Sequence, residues 1–547
     1  MKHRSFALLW ATLQLASLAM NQAAEPAAPT TKPNILIILV DDMGYSDLGC
    51  FGSEIRTPNI DRLATGGMKF AEMYNTAKCF PSRASLLTGV YFQRTDQDFS
   101  RTATLAEVLG PAGYTTLWSG KHHATFNPVT RGFDRYYGML GGCENHFNPG
   151  SKAIAGQPVP THKGNGNRWA LDGKEVDNFI SQDPNFYDTD AFTDRALQWL
   201  DEYQTTNKPF LLYMAYTAPH WPLQAWPEDI AKYKGVYDGG YETVRKARYE
   251  RQIKLGLVDP KTSPLPPMEY AKKASKKWDD LSAEERKQEA MKMEVFAAML
   301  DRVDQNIGRL LKCLEEQGKL DNTLVLFLSD NGACAETPAP WDNIDPNAPM
   351  GSVATFIDYG PGWAAVGNTP LRKWKTESFE GGICTPLVAH WPAGMKPQSG
   401  YNREPAHVID IMPTVLDIAG AKYPGASKQS PIPPMDGVSL VPAFNGHKIA
   451  RSKPIFFQFN QGSAVRDGKW KIVRNGPTWE LYDLAVDRTE TQNLAAARPE
   501  LVQQMDAAWL AWWKDCTGND WTGKAPKELK DGKPGKRKEF KEDTRPE

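Results

Sequence analysis

Residues Ile35-Leu36-Ile37-Ile38-Leu39-Val40 form an unbroken run of branched apolar side chains that stops at Asp41-Asp42-Met43-Gly44. Six apolar positions in succession leave no polar face. The run therefore predicts a strand buried on both sides, as in a parallel sheet with helices on each face. The pattern returns at Thr323-Leu324-Val325-Leu326-Phe327-Leu328, which ends in Ser329-Asp330-Asn331-Gly332. Two further runs, Gly113-Tyr114-Thr115-Thr116-Leu117-Trp118 and Phe210-Leu211-Leu212-Tyr213-Met214-Ala215-Tyr216, lead into Gly120-Lys121-His122-His123 and Ala218-Pro219-His220-Trp221-Pro222. Polar residues thus follow the C-terminal ends of four strands, the edge where open α/β sheets bind ligands. Any one of these pairs fits a capped turn equally well; the repetition favours a site.

If the strands ending at Asp41 and Asp330 are neighbours, Asp41, Asp42, Asp330 and Asn331 converge as an oxygen-only cage. Such donors suit one calcium ion better than zinc. With no counter-charge in the same segments, the acids would repel one another, which implies a divalent cation.

A second stretch points to the same place. Cys79-Phe80-Pro81-Ser82-Arg83-Ala84-Ser85-Leu86-Leu87-Thr88-Gly89 sets a thiol and an arginine ahead of an apolar run with helical spacing. A Cys at a helix start meets the positive end of the macrodipole, and Arg83 adds a positive charge one turn on. This predicts an anion-handling nucleophile; a buried structural Cys before a core helix fits the Cys-x-Pro alone equally well.

Between the strands, the pattern from Tyr241 to Leu320 is helical, interrupted by a Pro-rich loop from Thr262 to Pro267. Ser282-Ala283-Glu284-Glu285 is a capping box, Val295, Met299, Val303, Ile307, Leu310, Leu311 and Leu314 share one helical face, and Gly318 can end the helix. These Met and Leu residues read as core. Pro386-Leu387-Val388-Ala389 is another strand, and Lys375 lies upstream of it, just before Glu380-Gly381-Gly382. By composition alone Lys375 is equally a solvated surface lysine. Short strand candidates at 455–459, 463–465, 469–473 and 480–482, then a helix from about Pro499 to Trp513, predict a small α+β domain with an antiparallel sheet.

The chain has 547 residues, with 41% hydrophobic and 24% charged. This is an ordinary globular balance with length for two domains. The formal net charge of −1 gives no global field to recruit nucleic acid or anionic lipid. Met1-Lys2-His3-Arg4, an apolar stretch from Phe6 to Met20 and Ala23-Ala24 fit a cleaved secretory signal peptide. The stretch is short for a membrane span and carries Gln14. The expected organisation is a signal peptide at 1–24, a linker at 25–33, a catalytic domain at 34–445, a C-terminal subdomain at 446–515 and a disordered tail at 516–547. Seven cysteines, an odd count in an exported chain, flag one thiol with its own task; one or two disulfides are compatible with the rest.

Taken together, these motifs resemble type I sulfatases from about residue 33 to 515. The resemblance implies an alkaline-phosphatase-like α/β core, a mainly parallel sheet sandwiched by helices, with a smaller C-terminal sheet domain. Asp41, Asp42, Asp330 and Asn331 match the family's calcium ligands. Cys79 matches the residue oxidised to formylglycine, and Arg83 its arginine. Lys121 and His123 match a Lys-x-His pair whose flanks differ here, leaving His122 as the competing assignment. His220 and Lys375 match sulfate-binding positions. The helical block looks most like the arylsulfatase branch. The implied activity is hydrolysis of a sulfate monoester to an alcohol or phenol plus sulfate, through a hydrated formylglycine nucleophile and calcium. A formylglycine-generating or sulfatase-maturating enzyme is then a partner, and a sulfated small molecule or glycan the substrate, in a secreted or periplasmic setting without integral membrane association. The alternatives are a glycan sulfatase, a phosphonate or phosphate ester hydrolase of the same superfamily, and a non-catalytic sulfoglycan-binding protein. The loop 142–147 and the segment 358–363 are the expected substrate rim.

Overall fold

The run 35–40 lies in β1 (Asn34–Val40), near the middle of an 11-stranded sheet. The computed structural model describes residues 31–523 except 96–97, 165, 271–275, 397 and 426–430. The signal peptide, most of the 25–33 linker and the tail beyond 523 lie outside the described residues.

The other strands of this sheet are β2 (Met68–Tyr74), β3 (Thr115–Gly120), β4 (Arg135–Met139), β5 (Trp169–Leu171), β6 (Lys174–Val176), β7 (Phe210–Ala215), β8 (Thr323–Ser329), β9 (Cys384–His390), β10 (Tyr401–Asn402) and β11 (Ala406–His407). Their order is β10-β2-β9-β8-β1-β7-β3-β4-β5-β6, with β11 also on β2. Strands β8, β1, β7, β3 and β4 are mutually parallel. Strand β9 is antiparallel to both β8 and β2. The sheet is therefore mixed around a parallel centre.

Successive side chains of a strand point to opposite faces, and both faces are covered here. Leu36, Ile38 and Val40 join one core, while Ile35, Ile37 and Leu39 join the other. Strands β7 and β8 divide their residues in the same way. Each fully buried Ile or Leu contributes roughly 1.5–3 kcal/mol of transfer free energy, so three unbroken apolar strands can only sit inside a three-layer arrangement. The long helix Ala283–Glu316 covers the first face; its Ser282/Glu285 capping box is formed, and Gly318 follows its end at φ 64°. The Met and Leu stripe read from its sequence is core.

Residues 455–517 form the smaller unit. Strands β12 (Ile455–Phe459), β13 (Gly462–Asp467), β14 (Trp470–Asn475) and β15 (Glu480–Asp483) make an antiparallel meander. One face packs on the closing helix through Trp509, Trp512 and Trp513. The other, with Phe457, Ala464, Val473 and Tyr482, continues the main core. The closing helix spans Pro499–Thr517 with Cys516 buried, so the tail boundary placed at 516 falls inside an ordered element. Apolar contact at Trp512, Trp513 and Cys516 extends the helix past the expected Trp513.

Candidate active site

The strand directions bring distant segments to one edge. Strands β1, β3, β7 and β8 run parallel, so Asp41, Lys121, Tyr216–His220 and Asp330 all emerge at their shared C-terminal edge. Strand β2 points the same way, pairing Tyr74 with Cys384, and delivers Asn75–Cys79. Strand β9 is reversed, so the segment that precedes it, with Lys375, reaches this edge too. Gly120 ends β3 at φ 119°, where a Cβ would lie 2.0 Å from the Ala215 carbonyl oxygen; only glycine lets β3 and β7 approach there.

Asp41, Asp42, Asp330 and Asn331 are all buried and adjacent. Asn331 donates from Nδ2 to Asp42 Oδ1 at 2.7 Å, and the Asp42 backbone N–H donates to Asp330 Oδ1 at 3.4 Å. Asp42 is held at φ 71°, a left-handed conformation that costs energy for a non-glycine residue and clusters at functional sites. The charges are not left to repel, as the sequence suggested. Arg83 bridges Asp330 Oδ2 at 2.9 Å and Asp41 Oδ2 at 3.3 Å. Lys121 donates to Asp41 Oδ2, and Lys375 lies 2.7 Å from Asp42 Oδ1. Three cations from other segments balance three carboxylates, so repulsion does not by itself require a metal. What fits a cation is different: Asp41 Oδ1 and Asn331 Oδ1 are buried acceptors without a hydrogen-bond partner. Such atoms are costly unless something fills them. Asp41, Asp42 and His220 each offer a donor atom within 4.8 Å of the others, so His220 is a further candidate ligand that the oxygen-only set left out. Burial raises the Asp41 carboxyl, and Lys121, His220 and Arg83 outweigh it, holding it well below the usual range. Burial and the Asp41 charge push Asp330 up to about 7 against Arg83 and Lys121.

Cys79 is the first residue of the helix Cys79–Thr88, as its sequence predicted, and is 1% exposed. The helix end and Arg83 do not make its thiol more acidic. Burial pushes it up, Lys121 and Lys375 oppose only in part, and the Arg83 guanidinium is taken up by Asp41 and Asp330. All seven cysteines are free thiols, so their odd number does not single out Cys79; its position does.

The two histidines that follow Lys121 meet different surroundings. His122 is wedged between Trp118 and Phe126 with centroids at 5.0 and 4.4 Å, and burial lowers its pKa to about 3. His123 turns to the side of Lys121 and Asp41; burial, then Lys121, keeps its ring neutral. Its ring lies against Gly142, where a Cβ would come within 2.6 Å of Nε2. His220 donates from Nδ1 to the Trp221 carbonyl at 2.6 Å and sets Nε2 3.6 Å from Asp42 Oδ2; burial lowers its pKa to about 4. Lys375 is not a solvated lysine. It is sealed, its N–H is bonded to the Ala333 carbonyl at 3.0 Å, and Asp42 outweighs burial to keep it charged.

Two residues around the site escaped the sequence reading, and a third, His146, expected on the rim at 142–147, is fully buried. His146 is bonded to Asp188 at 2.9 Å and to the His220 carbonyl at 3.1 Å, so it fixes the His220 loop. Lys78 and Glu336 pair at 2.6 Å, and Glu336 also lies 3.6 Å from Lys375. A lone charged residue in a loop carries no sequence signal. Only the adjacency of Lys78 to Cys79 and of Glu336 to Asp330-Asn331 hinted at them. The expected rim at 358–363 divides: Asp358 and Tyr359 line a small cavity with Asp42 and Trp221, whereas Trp363 is fully buried against Tyr237, Tyr241 and Trp278, because its large apolar ring gains more from the core than from the surface. Part-exposed aromatics beside His220 come instead from Trp221, Trp341 and Phe356.

A mixed α/β sheet with acids, a buried cysteine at a helix start and lysines gathered on its C-terminal edge is the arrangement of the alkaline-phosphatase-like class. The chain belongs to the sulfatase family: the sulfatase model matches residues 33–421, and the model for the C-terminal region of N-sulphoglucosamine sulphohydrolase matches residues 374–509. It is 34% identical to an uncharacterized sulfatase of Schizosaccharomyces pombe (strain 972 / ATCC 24843), covering 90% of this chain and 95% of that one. It is also 34% identical to an arylsulfatase of Klebsiella aerogenes over 76% and 92% of the two chains. Among solved structures, Ps i-CgsB in complex with k-i-k-neocarrahexaose superposes with a TM-score of 0.63 at 26% identity, over 90% of this chain and 96% of that one. The protein is therefore a sulfatase enzyme. No helix among the described residues is long and apolar enough to cross a membrane.

Proposed function

We propose that this sulfatase hydrolyses a sulfate monoester of a glycan or aryl alcohol, with calcium in the oxygen cage and Cys79 carried as formylglycine. The observation that supports it most is the pair of unpartnered buried oxygens, Asp41 Oδ1 and Asn331 Oδ1, within a ring of lysines that also faces Cys79. Asp41, Asp42, Asp330 and Asn331 would hold the ion, which supplies Lewis-acid polarisation of a sulfate oxygen and lowers the proton affinity of the attacking hydroxyl. A hydrated aldehyde at residue 79 would supply that hydroxyl and, by collapsing to the carbonyl, a route for expelling sulfate. Arg83 and Lys121 keep Asp41 and Asp330 oriented. Lys375 and Lys121 present ammonium groups to the oxygens on which charge develops. Lys375 is also the better donor to the leaving oxygen, because the His220 Nδ1–H is engaged by Trp221 and its Nε2 is unprotonated beside Asp42. His123, neutral beside Lys121, accepts the proton that restores the aldehyde. The neocarrahexaose bound to Ps i-CgsB favours a sulfated glycan over a simple aryl sulfate. The apolar stretch near the N-terminus supports export to the periplasm or outside the cell, with a maturation enzyme acting on Cys79.

The test is to produce the protein with a sulfatase-maturating enzyme, measure the mass of the Cys79 peptide and the bound metals, and assay a panel of sulfated glycans beside 4-nitrophenyl sulfate. An aldehyde mass, one calcium per chain and sulfate release from a glycan are expected. Turnover by a protein whose Cys79 remains a thiol would overturn the proposal, as would a bound metal other than calcium in the active form.

A further inference from the structure

Inside the site, Asp41, Asp42 and Asp330 are balanced by Arg83, Lys121 and Lys375. The charge an arriving ester meets is therefore set by the ion and by whatever lies outermost. Lys78 and Glu336 belong to that outer layer. Their side chains are 24% and 32% exposed, against 0% for Lys375. Glu336 reaches Lys78 through Oε1 at 2.6 Å and Lys375 through Oε2 at 3.6 Å, and Cys334 Sγ lies 3.6 Å from the same Oε2. The geometry is held at both ends: Lys78 directly precedes Cys79, and Lys375 is bonded through its backbone to Ala333, three residues before Glu336. The carboxylate stays ionised, because Lys375 and Lys78 outweigh its burial.

We infer that Glu336 is a specificity-determining residue that cancels the charge of Lys78 at the mouth and so favours singly charged esters over doubly charged ones. A sulfate monoester carries one negative charge and a phosphate monoester carries two above its second ionisation. Partly buried charges a few ångströms apart interact strongly, so one added positive charge at this point attracts a doubly charged phosphate about twice as strongly as a singly charged sulfate. The discrimination works by withholding attraction from the wrong substrate. The inference rests on the proposal that Lys375 faces the transferred group.

The matured wild type, Glu336→Gln and Lys78→Met are compared at pH 8 on 4-nitrophenyl sulfate, 4-nitrophenyl phosphate and 4-nitrophenyl phenylphosphonate, a singly charged phosphorus ester. Glu336→Gln is expected to raise the phosphate-to-sulfate ratio of kcat/KM by at least about tenfold while the phosphonate-to-sulfate ratio moves less than about threefold. Inhibition by inorganic phosphate should tighten in Glu336→Gln and weaken in Lys78→Met, which reads the same charge if either variant folds poorly. Ratios and inhibition unchanged, or equal gains on phosphate and phosphonate, would overturn the inference, since the second result marks a change of shape instead of charge. If none of the three proteins turns over the sulfate ester, the functional reading of the site falls, and the affinity for inorganic phosphate, measured by calorimetry, still reports on Glu336.

Discussion

Two buried clusters of charge hold this molecule together, and they differ in one respect. At the sheet edge, Asp41, Asp42 and Asp330 meet Arg83, Lys121 and Lys375. At the junction with the C-terminal unit, Glu72, Glu380 and Glu490 meet Arg466, Lys471 and Arg488. Both are balanced, three against three, and both are buried. The unpartnered atoms separate them. At the edge they are acceptors, Asp41 Oδ1 and Asn331 Oδ1; at the junction they are the donors Arg466 Nε, Arg466 Nη1 and Arg488 Nη1 and one acceptor, Glu490 Oε1, which already has the Lys471 ammonium 2.7 Å away. Burial and perturbed ionisation alone do not distinguish a site from a structural clasp. Orphan acceptors at strand ends do, because they call for a cation, whereas the junction joins strand interiors such as Lys471 on β14 and Arg466 on β13.

The contrast can be broken at several points. The largest effect is expected at Cys79→Ser, which should lower kcat by at least about 1000-fold with the far-UV spectrum and Tm unchanged; full activity in a stable Cys79→Ser protein would falsify the nucleophile assignment. Next, Lys471→Met removes the ammonium that Glu380 and Glu490 share, leaving Glu380 with Arg488, and should cost roughly 3–5 kcal/mol of stability, read as a lower Tm. Activity per folded molecule should stay at the wild-type level, and a selective loss of kcat would show that the junction is more than a clasp. His220→Ala sharpens the edge itself. It should cut kcat/KM by about 100-fold yet retain calcium measured by mass spectrometry, and loss of the metal would instead make His220 a ligand. Removing calcium by chelation should lower Tm by a few degrees, with recovery on adding it back, since an ion at 100 times its Kd adds about 2.7 kcal/mol; no recovery would count against a cation at the edge. The smallest effect concerns His146. Asp188 outweighs burial and raises its folded pKa, so the pair's stabilisation is complete below about 6.5, the unfolded value, and fades as pH rises through the higher folded value. His146→Gln should remove that slope from a plot of Tm against pH; a persistent slope would assign it elsewhere.

Much of the scaffold was legible because burial on both faces forces an unbroken apolar run. Strands β1, β7 and β8 and the long helix with its Ser282 cap follow from periodicity alone. Strand β2, Met68-Lys69-Phe70-Ala71-Glu72-Met73-Tyr74, did not stand out, because Lys69 and Glu72 interrupt it. Glu72 is tolerated inside because Arg466, from a segment almost four hundred residues on, meets it.

The sequence by itself determined which residues end the core strands and that a thiol opens the helix at Cys79, since local patterns of polarity record local burial. Only the tertiary structure decided that β9 runs backwards and carries Lys375 to the same edge. It also decided that Arg83, Lys121 and Lys375 neutralise the acids, that Trp363 belongs to the core and that Glu336 faces Lys78. Each of these depends on strand direction or on charge pairing across long stretches of chain, and those are set by the free energy of the whole packed assembly, not by the neighbours of any one residue.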